Sequence, residues 1–310
     1  MAPVMKQSFS LLVMVVSLMG CASASPPPPI VTPTALPEAT RQPTVAPTAT
    51  VVPTAAPEPT AFQCDEPAGR IEMESVDSAI TGEPLRYRVY LPPCYETANL
   101  RYPTLYMFHG MDQVGAMNDD MWDRLGLDEA ATNGYLSGEH VPLIIVMPNG
   151  WDAGHDRDDG PYPRVVVEEL IPRIEADYCT SGQRAVGGLS RGGYWAYAIA
   201  FLYPEVFERV GGHSGFFYAG DYPQANPYDL IPTAQGIEEL IMYLDYGAAD
   251  TLVPDRVDAF NERLVTTRNI EPTFIVYPEG GHDEAYWSAH VDDYLDFYTA
   301  AWSDLSPCSP

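Results

Sequence analysis

The chain of 310 residues carries Arg184-Ala-Val-Gly-Gly-Leu-Ser-Arg-Gly-Gly193 in its second half. This segment begins as an apolar strand pattern, and a helix pattern starts at Arg191 after a glycine-rich turn. Ser190 lies at the turn, inside a G-x-S-x-G motif whose glycines are Gly188 and Gly192. Glycine on both sides lets the chain bend sharply, because neither position has a side chain that would collide. The motif predicts a strand–turn–helix unit that raises the serine hydroxyl above the edge of a sheet.

Strand and helix patterns alternate on both sides of this unit. Buried-type strands are predicted at 104–108, 142–147, 184–189, 209–213, 240–247 and 273–277, and helices at 119–133, 164–178, 191–202, 254–268 and 283–302. Two earlier strands, at 70–76 and 84–91, precede them, and the second alternates polar with apolar residues, as an antiparallel strand does. The whole pattern predicts an α/β fold with a mostly parallel central sheet and helices on both faces.

The N-terminal part has a different composition. An apolar run at 11–20 follows Lys6 and is too short to span a bilayer, which predicts a lipoprotein-type signal peptide over 1–20. The end of this run, Leu18-Met-Gly-Cys21, resembles a bacterial lipobox, although Met19 is larger than usual there. Cys21 is therefore the predicted lipidation site, and cleavage after Ala24 to release a secreted protein is the alternative. A Pro/Thr-rich linker over 21–62 and a folded domain over 63–310 complete the predicted organisation.

The net charge of −27 arises from 16 Lys and Arg against 43 Asp and Glu. Such an acidic surface repels phosphate backbones and anionic lipid, which excludes nucleic acid as a partner and limits membrane contact to the N-terminal lipid. Lys6 is the one lysine of the chain. Schiff-base chemistry and serine–lysine dyads are therefore excluded in the mature protein, and a general base must be a histidine or a carboxylate.

The chain has five cysteines. Lipidation of Cys21 leaves four, an even set that suits an oxidising compartment outside the cytoplasm. Three pairings are possible. We favour Cys64–Cys94 with Cys179–Cys308, because the second bond would tie the C-terminal tail to the domain. No C-x-x-C spacing indicates a zinc site, and no metal is predicted.

A base and an acid follow the serine along the chain. Asp250 comes just after the strand at 240–247, and His282 just after the strand at 273–277. Serine, acid and histidine in this order, each past the C-terminal end of a strand, predict a catalytic triad. Asp245 lies inside its strand and is interpreted as structural. The main-chain N–H groups of Arg191 and of Met111, in the loop after the strand at 104–108, are the predicted oxyanion hole.

Several aromatic and polar residues are predicted near the triad. Candidate substrate contacts are His109, Trp151, His213 and Trp287. The alternative role of His109 is to orient its own loop through a hydrogen bond. The alternative for His213 is a structural histidine whose hydrogen bonds are satisfied inside the protein. The Asp-rich loop at 152–159 either binds a cation, faces the substrate or is simply solvated, and it lacks EF-hand spacing.

Five motifs in order carry a family resemblance. They are Tyr-Met-Phe-His-Gly-Met at 106–111, Ile-Ile-Val-Met-Pro-Asn-Gly at 144–150, Gly-Gly-Leu-Ser-Arg-Gly-Gly at 187–193, Gly-Gly-His-Ser-Gly at 211–215 and Gly-Gly-His-Asp at 280–283. Over Tyr87–Trp302 the chain resembles the esterase D-like group of α/β-hydrolases, which includes feruloyl esterases and the antigen 85 mycolyltransferases. The resemblance implies the α/β-hydrolase fold, no cofactor, and the triad and oxyanion residues named above.

The sequence therefore predicts a serine carboxylesterase that forms an acyl-enzyme on the outer face of a bacterial membrane. Its expected substrate is a small-molecule or carbohydrate ester, and its oligomeric state is left open. The alternatives are an acyltransferase to a sugar or lipid alcohol, which would use the same residues, and a non-catalytic surface binding protein on a hydrolase fold.

Overall fold

The computed structural model describes residues 64–111, 118–300, 302–303 and 305–308. The predicted signal peptide at 1–20, the linker at 21–62 and the lipidation site Cys21 lie outside these residues. Within the described ranges, strands and helices alternate along the chain and build one large sheet.

The sheet contains eight strands from the described residues. They are β1 (Arg70–Asp77), β2 (Pro84–Leu91), β3 (Tyr102–Phe108), β4 (Ile144–Pro148), β5 (Thr180–Leu189), β6 (Arg209–His213), β7 (Ile241–Gly247) and β8 (Thr273–Tyr277). Their spatial order is β1-β2-β4-β3-β5-β6-β7-β8. The pairs β1–β2 and β2–β4 are antiparallel, and every pair from β4–β3 to β7–β8 is parallel. The parallel strands therefore end at one common edge, where Ser190, Asp250 and His282 follow β5, β7 and β8.

Helices connect the strands. The α-helices of the described residues are α1 (Tyr95–Ala98), α2 (Met121–Arg124), α3 (Leu127–Ser137), α4 (Tyr162–Arg164), α5 (Ile171–Asp177), α6 (Arg191–Leu202), α7 (Pro227–Leu230), α8 (Pro254–Arg268), α9 (Glu284–Ala289) and α10 (Val291–Thr299). A π-helical segment, Val165–Leu170, joins α4 to α5, and short 3₁₀ helices occupy Gly150–Ala153 and Ile237–Glu239.

Helices cover both faces of the sheet, as β3 shows. Tyr106 of this strand packs in the same apolar cluster as Phe260 of α8 and the buried residues of α6. The preceding residue, Leu105, packs in a second cluster with Leu127 of α3 and Leu295 of α10. Alternate residues of a strand point to opposite faces, so a strand that is buried along its whole length must be covered on both. The predicted α/β fold with a mostly parallel sheet is confirmed.

Two predicted helices are each divided in the structure. The helix predicted at 119–133 becomes α2 and α3, because Gly126 between them has a left-handed backbone with φ 84°. The helix predicted at 283–302 becomes α9 and α10, separated at His290, whose φ of −120° is not helical. Asp283 does not belong to the helix but caps it, since its Oδ1 accepts the main-chain N–H of Tyr286 at 3.0 Å.

Two disulfides join the described segments, Cys64–Cys94, with a Cα–Cα distance of 5.7 Å, and Cys179–Cys308. This is the pairing favoured from the sequence. The second bond lies beside main-chain hydrogen bonds from Arg101 N to Ser306 O and from Cys308 N to Asn99 O, which hold the tail against the domain. No helix in the described part of the chain is long and apolar enough to cross a membrane.

Candidate active site

Ser190 occupies a strained turn between β5 and α6. Its backbone has φ 52° and ψ −115°, a region that costs a non-glycine residue about 1–3 kcal/mol. The turn is held by hydrogen bonds from Ser190 N to His213 O at 2.8 Å and from Phe216 N to Ser190 O at 3.0 Å. A Cβ atom at Gly192 would lie 2.1 Å from Phe108 O, so this position admits only glycine. The local sequence thus builds the sharp turn that the motif predicts.

The structure brings the three predicted triad side chains into one chain of hydrogen bonds. The distance from Ser190 Oγ to His282 Nε2 is 2.9 Å, and that from His282 Nδ1 to Asp250 Oδ2 is 2.8 Å. The other carboxylate oxygen of Asp250 accepts the N–H groups of Leu252 at 2.7 Å and Val253 at 3.2 Å. With both oxygens engaged, the carboxylate has a fixed direction. It accepts Nδ1–H and leaves Nε2 of His282 to accept the serine hydroxyl proton.

The two predicted oxyanion donors belong to segments that adjoin Ser190. Arg191 is the first residue of α6, and a main-chain N–H in the first helical turn has no acceptor within the helix. Met111 follows the end of β3, where the loop passes close to the serine: a Cβ atom at Gly110 would lie 3.4 Å from Ser190 Cβ. Both residues are therefore near the serine in the chain or in space, and the roles of the two amides stay predictions.

The contacts of His109 and His213 favour structural roles over the predicted substrate contacts. Both imidazoles are buried, with exposures of 1% and 0%. His109 Nδ1 donates to Gly110 O at 2.7 Å, and its Nε2 accepts the N–H of Gly150 at 2.9 Å. His213 is hydrogen-bonded through both ring nitrogens as well. These contacts fit the alternative roles, orientation of its own loop for His109 and a satisfied structural histidine for His213, and the substrate contacts of both rings stay predictions.

The two predicted tryptophans have different surroundings. The edge of Trp287 faces the ring of His282 with 5.1 Å between centroids, and its Nε1 donates to Ser214 Oγ at 3.3 Å. Because Trp287 is only 6% exposed, most of its surface packs against the protein, including His282, and little of it faces solvent. Trp151 is half-buried and stacks on His109 at 6.3 Å, and it stays a candidate for substrate contact.

The Asp-rich loop supports the turn that carries Ser190. Asp158 accepts a hydrogen bond from the Arg191 guanidinium at 2.7 Å, while Asp152 pairs with Arg86 at 2.7 Å. His155 Nε2 donates to His109 O at 3.0 Å, and burial, followed by the nearby His109 and Arg191, lowers the pKa of this imidazole well below its usual value. In the described ranges, no three His, Cys, Asp or Glu side chains come together as metal ligands would. The contacts of the loop with Arg191, Arg86 and His109 could not be predicted from the sequence, because each joins residues more than 30 positions apart.

A family model described as "Putative esterase" matches residues 78–298 of the chain. Among curated proteins, Esterase Rv1288 of Mycobacterium tuberculosis is 34% identical over 139 residues, which are 41% of this chain and 28% of that protein. An endo-1,4-beta-xylanase/feruloyl esterase of Xylanibacter ruminicola is 27% identical over 220 residues, 66% of this chain and 28% of that protein. The chain thus spans little more than a quarter of the length of these relatives.

Solved structures share the fold at lower sequence identity. A ferulic acid esterase aligns with a TM-score of 0.64 and 23% identity over 75% of this chain and 99% of its own. An S-formylglutathione hydrolase from Agrobacterium tumefaciens aligns with a TM-score of 0.64 and 17% identity over 78% of this chain and 99% of its own. These matches, together with the strand order, confirm the α/β-hydrolase fold predicted from the sequence.

Proposed function

The chain belongs to the "Putative esterase" family, and we propose that it is a serine carboxylesterase acting through Ser190, His282 and Asp250. The observation that carries the proposal is the continuous hydrogen-bonded path from Ser190 Oγ through His282 to Asp250, with distances of 2.9 and 2.8 Å. Ser190 and His282 also keep a small exposed fraction, 9% for the serine and 17% for the imidazole, so an ester can reach them.

In the proposed reaction, Ser190 Oγ attacks the ester carbonyl while its proton moves to His282 Nε2. The N–H groups of Arg191 and Met111 stabilise the negative charge on the carbonyl oxygen. His282 then returns the proton to the alcohol oxygen, which leaves an acyl group on Oγ. A water molecule releases the acid by the same steps. Asp250 keeps the imidazole in the required tautomer and stabilises its charged form.

Replacement of the nucleophile tests the proposal. We expect Ser190→Ala to lower kcat for p-nitrophenyl acetate by roughly 10³-fold or more, because the attacking atom is removed. Ser75→Ala, at an exposed position of β1, is the matched control and should keep wild-type turnover. Thermal unfolding of each variant checks the fold. Undiminished hydrolysis by a folded Ser190→Ala variant would disprove the assignment.

The substrate class is part of the proposal. The names of relatives include feruloyl esterase, and the proposed substrate here is a small-molecule or carbohydrate ester of aryl or short-chain acids. An ester panel that varies acyl group and alcohol independently identifies it. Adding a sugar alcohol to the same assay distinguishes hydrolysis from acyl transfer, since transfer would give a new ester instead of the free acid.

We also propose that the protein works outside the cytoplasm, anchored by lipid at Cys21 or otherwise secreted. Two disulfides in the described residues support an oxidising compartment. Mass analysis of the mature N-terminus tests the anchor: a diacylglyceryl cysteine is expected, and an unmodified terminus at Ser25 would refute it.

A further inference from the structure

A second Asp–His pair lies in the interior, next to the proposed triad. It consists of Asp245 of β7 and His213 of β6, and it is called the buried dyad below. We propose that the buried dyad is a positioning device, which holds Tyr286 in place and through it sets His282 against Ser190. The inference rests on the proposed function, in which His282 acts on Ser190.

The buried dyad is fully enclosed and fully hydrogen-bonded. Both side chains have no exposed surface, and His213 Nδ1 lies 2.9 Å from Asp245 Oδ1. With the proton on Nδ1, the other ring nitrogen accepts the hydroxyl of Tyr298 at 2.9 Å. Asp245 Oδ2 accepts two further hydroxyls, from Tyr286 at 2.5 Å and from Tyr294 at 3.1 Å. Such a network fixes its members in one arrangement, because any lost bond would leave a polar atom unpaired in the interior.

Tyr286 links this network to the catalytic histidine. It belongs to the first turn of α9, four residues after His282, and its N–H is capped by Asp283 Oδ1 at 3.0 Å. Its ring lies against the loop that carries His282: a Cβ atom at Gly280 would lie 2.3 Å from Tyr286 Cδ2. The hydroxyl at one end of the ring is therefore fixed by Asp245, while the other end supports the loop.

The same two strands also hold the neighbours of His282 and Ser190. Ser214 follows His213, donates its N–H to Asp245 O at 2.9 Å, and accepts the indole N–H of Trp287, which lies edge-on to His282. The carbonyl oxygen of His213 accepts the N–H of Ser190 at 2.8 Å. The buried dyad thus joins the strand ends that fix both partners of the proton transfer.

The tyrosine hydroxyls are suited to donate to the dyad. Burial, and then the charge of Asp245, raise the pKa of Tyr286 and Tyr294 well above the usual value for a phenol. Both groups therefore keep their protons at any working pH and act as donors. Asp245 Oδ2 accepts the hydrogen bonds of both hydroxyls, but the two tyrosines belong to different helices. Tyr286 belongs to α9, beside His282, and Tyr294 belongs to α10, which carries no proposed site residue.

This difference supplies the test. Tyr286→Phe and Tyr294→Phe each remove one hydroxyl that donates to the same oxygen, with no other change in the ring. We expect Tyr286→Phe to lower kcat roughly 10- to 100-fold with little change in KM, since small misplacement of a catalytic group has effects of this size. Tyr294→Phe should lower the Tm about as much as Tyr286→Phe does, because each variant loses one buried hydrogen bond. Its kcat should stay within about twofold of wild type.

A crystal structure of Tyr286→Phe gives a readout that does not depend on turnover. We expect the distance from His282 Nε2 to Ser190 Oγ to lengthen from 2.9 Å to beyond hydrogen-bonding range, above about 3.2 Å. An unchanged distance, or equal loss of kcat in both tyrosine variants, would overturn the positioning role. If wild type hydrolyses no ester but the distance lengthens as expected, the proposed function fails while the positioning role stands.

Discussion

The guanidinium of Arg191 makes three hydrogen bonds at the base of the turn that carries Ser190. It donates to His155 O at 3.0 Å, to the Tyr218 hydroxyl at 2.9 Å and to Asp158 Oδ1 at 2.7 Å. It also lies 4.2 Å from the ring centroid of Tyr194 and is almost fully buried. A planar group with several fixed donors satisfies all these partners at once, which a single ammonium group cannot do.

We therefore expect Arg191→Lys to destabilise the fold by about 2 kcal/mol, because a single ammonium group loses at least two of these three hydrogen bonds and a typical hydrogen bond contributes about 1 kcal/mol. For a chain of this size the loss corresponds to a fall in Tm of roughly 4–8 °C. Differential scanning calorimetry measures it. Arg164→Lys is the matched control: its pair with Glu168 is an exposed i,i+4 pair, worth only a few tenths of a kcal/mol. Equal Tm values for the two variants would contradict the role given to Arg191.

At the scale of elements, the first turn of α3 contains a carboxyl group whose environment opposes its charge. Burial, and then the adjacent Glu129, raise the pKa of Asp128 to about 7. The N-terminus of a helix favours a negative side chain by about 0.3–1 kcal/mol, but here partial burial and a neighbouring acid outweigh it. The carboxyl is therefore protonated in the folded protein at mildly acidic pH.

A raised pKa in the folded state means that Asp128 contributes stability below the pKa of the unfolded chain, near 4, and loses it as pH rises to about 7. Asp128→Asn keeps the neutral form at every pH. We expect this variant to have a higher Tm than wild type at pH 8 and nearly the same Tm at pH 4.5. Asp296→Asn, at an exposed position of α10, is the control, and a Tm difference for Asp128→Asn that does not depend on pH would contradict the expectation.

The sequence predicted elements best where apolar periodicity and end signals agree. The bounds of α6, α8, β6 and β8 are those expected, since glycine, proline or histidine marks their ends. The breaks at Gly126 and His290 were missed, because the apolar pattern continues through both positions. Periodicity reports which face of a helix is buried and not whether the axis stays straight.

In the site, the sequence located the residues that follow strand ends, because a parallel sheet brings those ends together. It could not locate partners that meet only in three dimensions. The pairing of Arg191 with Asp158 joins residues 33 positions apart, and that of His213 with Asp245 joins residues 32 apart. Neither pair has a local signature, so His213 could not be distinguished from a pocket residue without its contacts.

At the scale of the whole molecule, the dominant electrostatic property is the net charge of −27. Like charges on one surface repel, and folding brings them closer than they are in the unfolded chain. Ion pairs such as Arg164–Glu168 are exposed and offset little of this repulsion. Salt shortens the range of the repulsion, from about 30 Å at 0.01 M to about 3 Å at 1 M.

We therefore expect stability to rise with ionic strength. Between 0.02 and 0.5 M NaCl the gain should be on the order of 1 kcal/mol, or roughly 2–4 °C in Tm for a chain of this size. Thermal unfolding followed by circular dichroism measures it. Sucrose serves as the control, because it stabilises by exclusion from the surface and screens no charge. A Tm that falls with added NaCl would show that the ion pairs outweigh the repulsion.

The bond between Cys179 and Cys308 also bears on how the domain is oriented when it is attached to a solid support. Cys179 directly precedes β5, and Ser190 directly follows it. A strand of 10 residues is about 33 Å long. The bonded tail and the serine therefore lie at opposite ends of β5. Attachment to the support near Cys308 would therefore direct the serine away from the support.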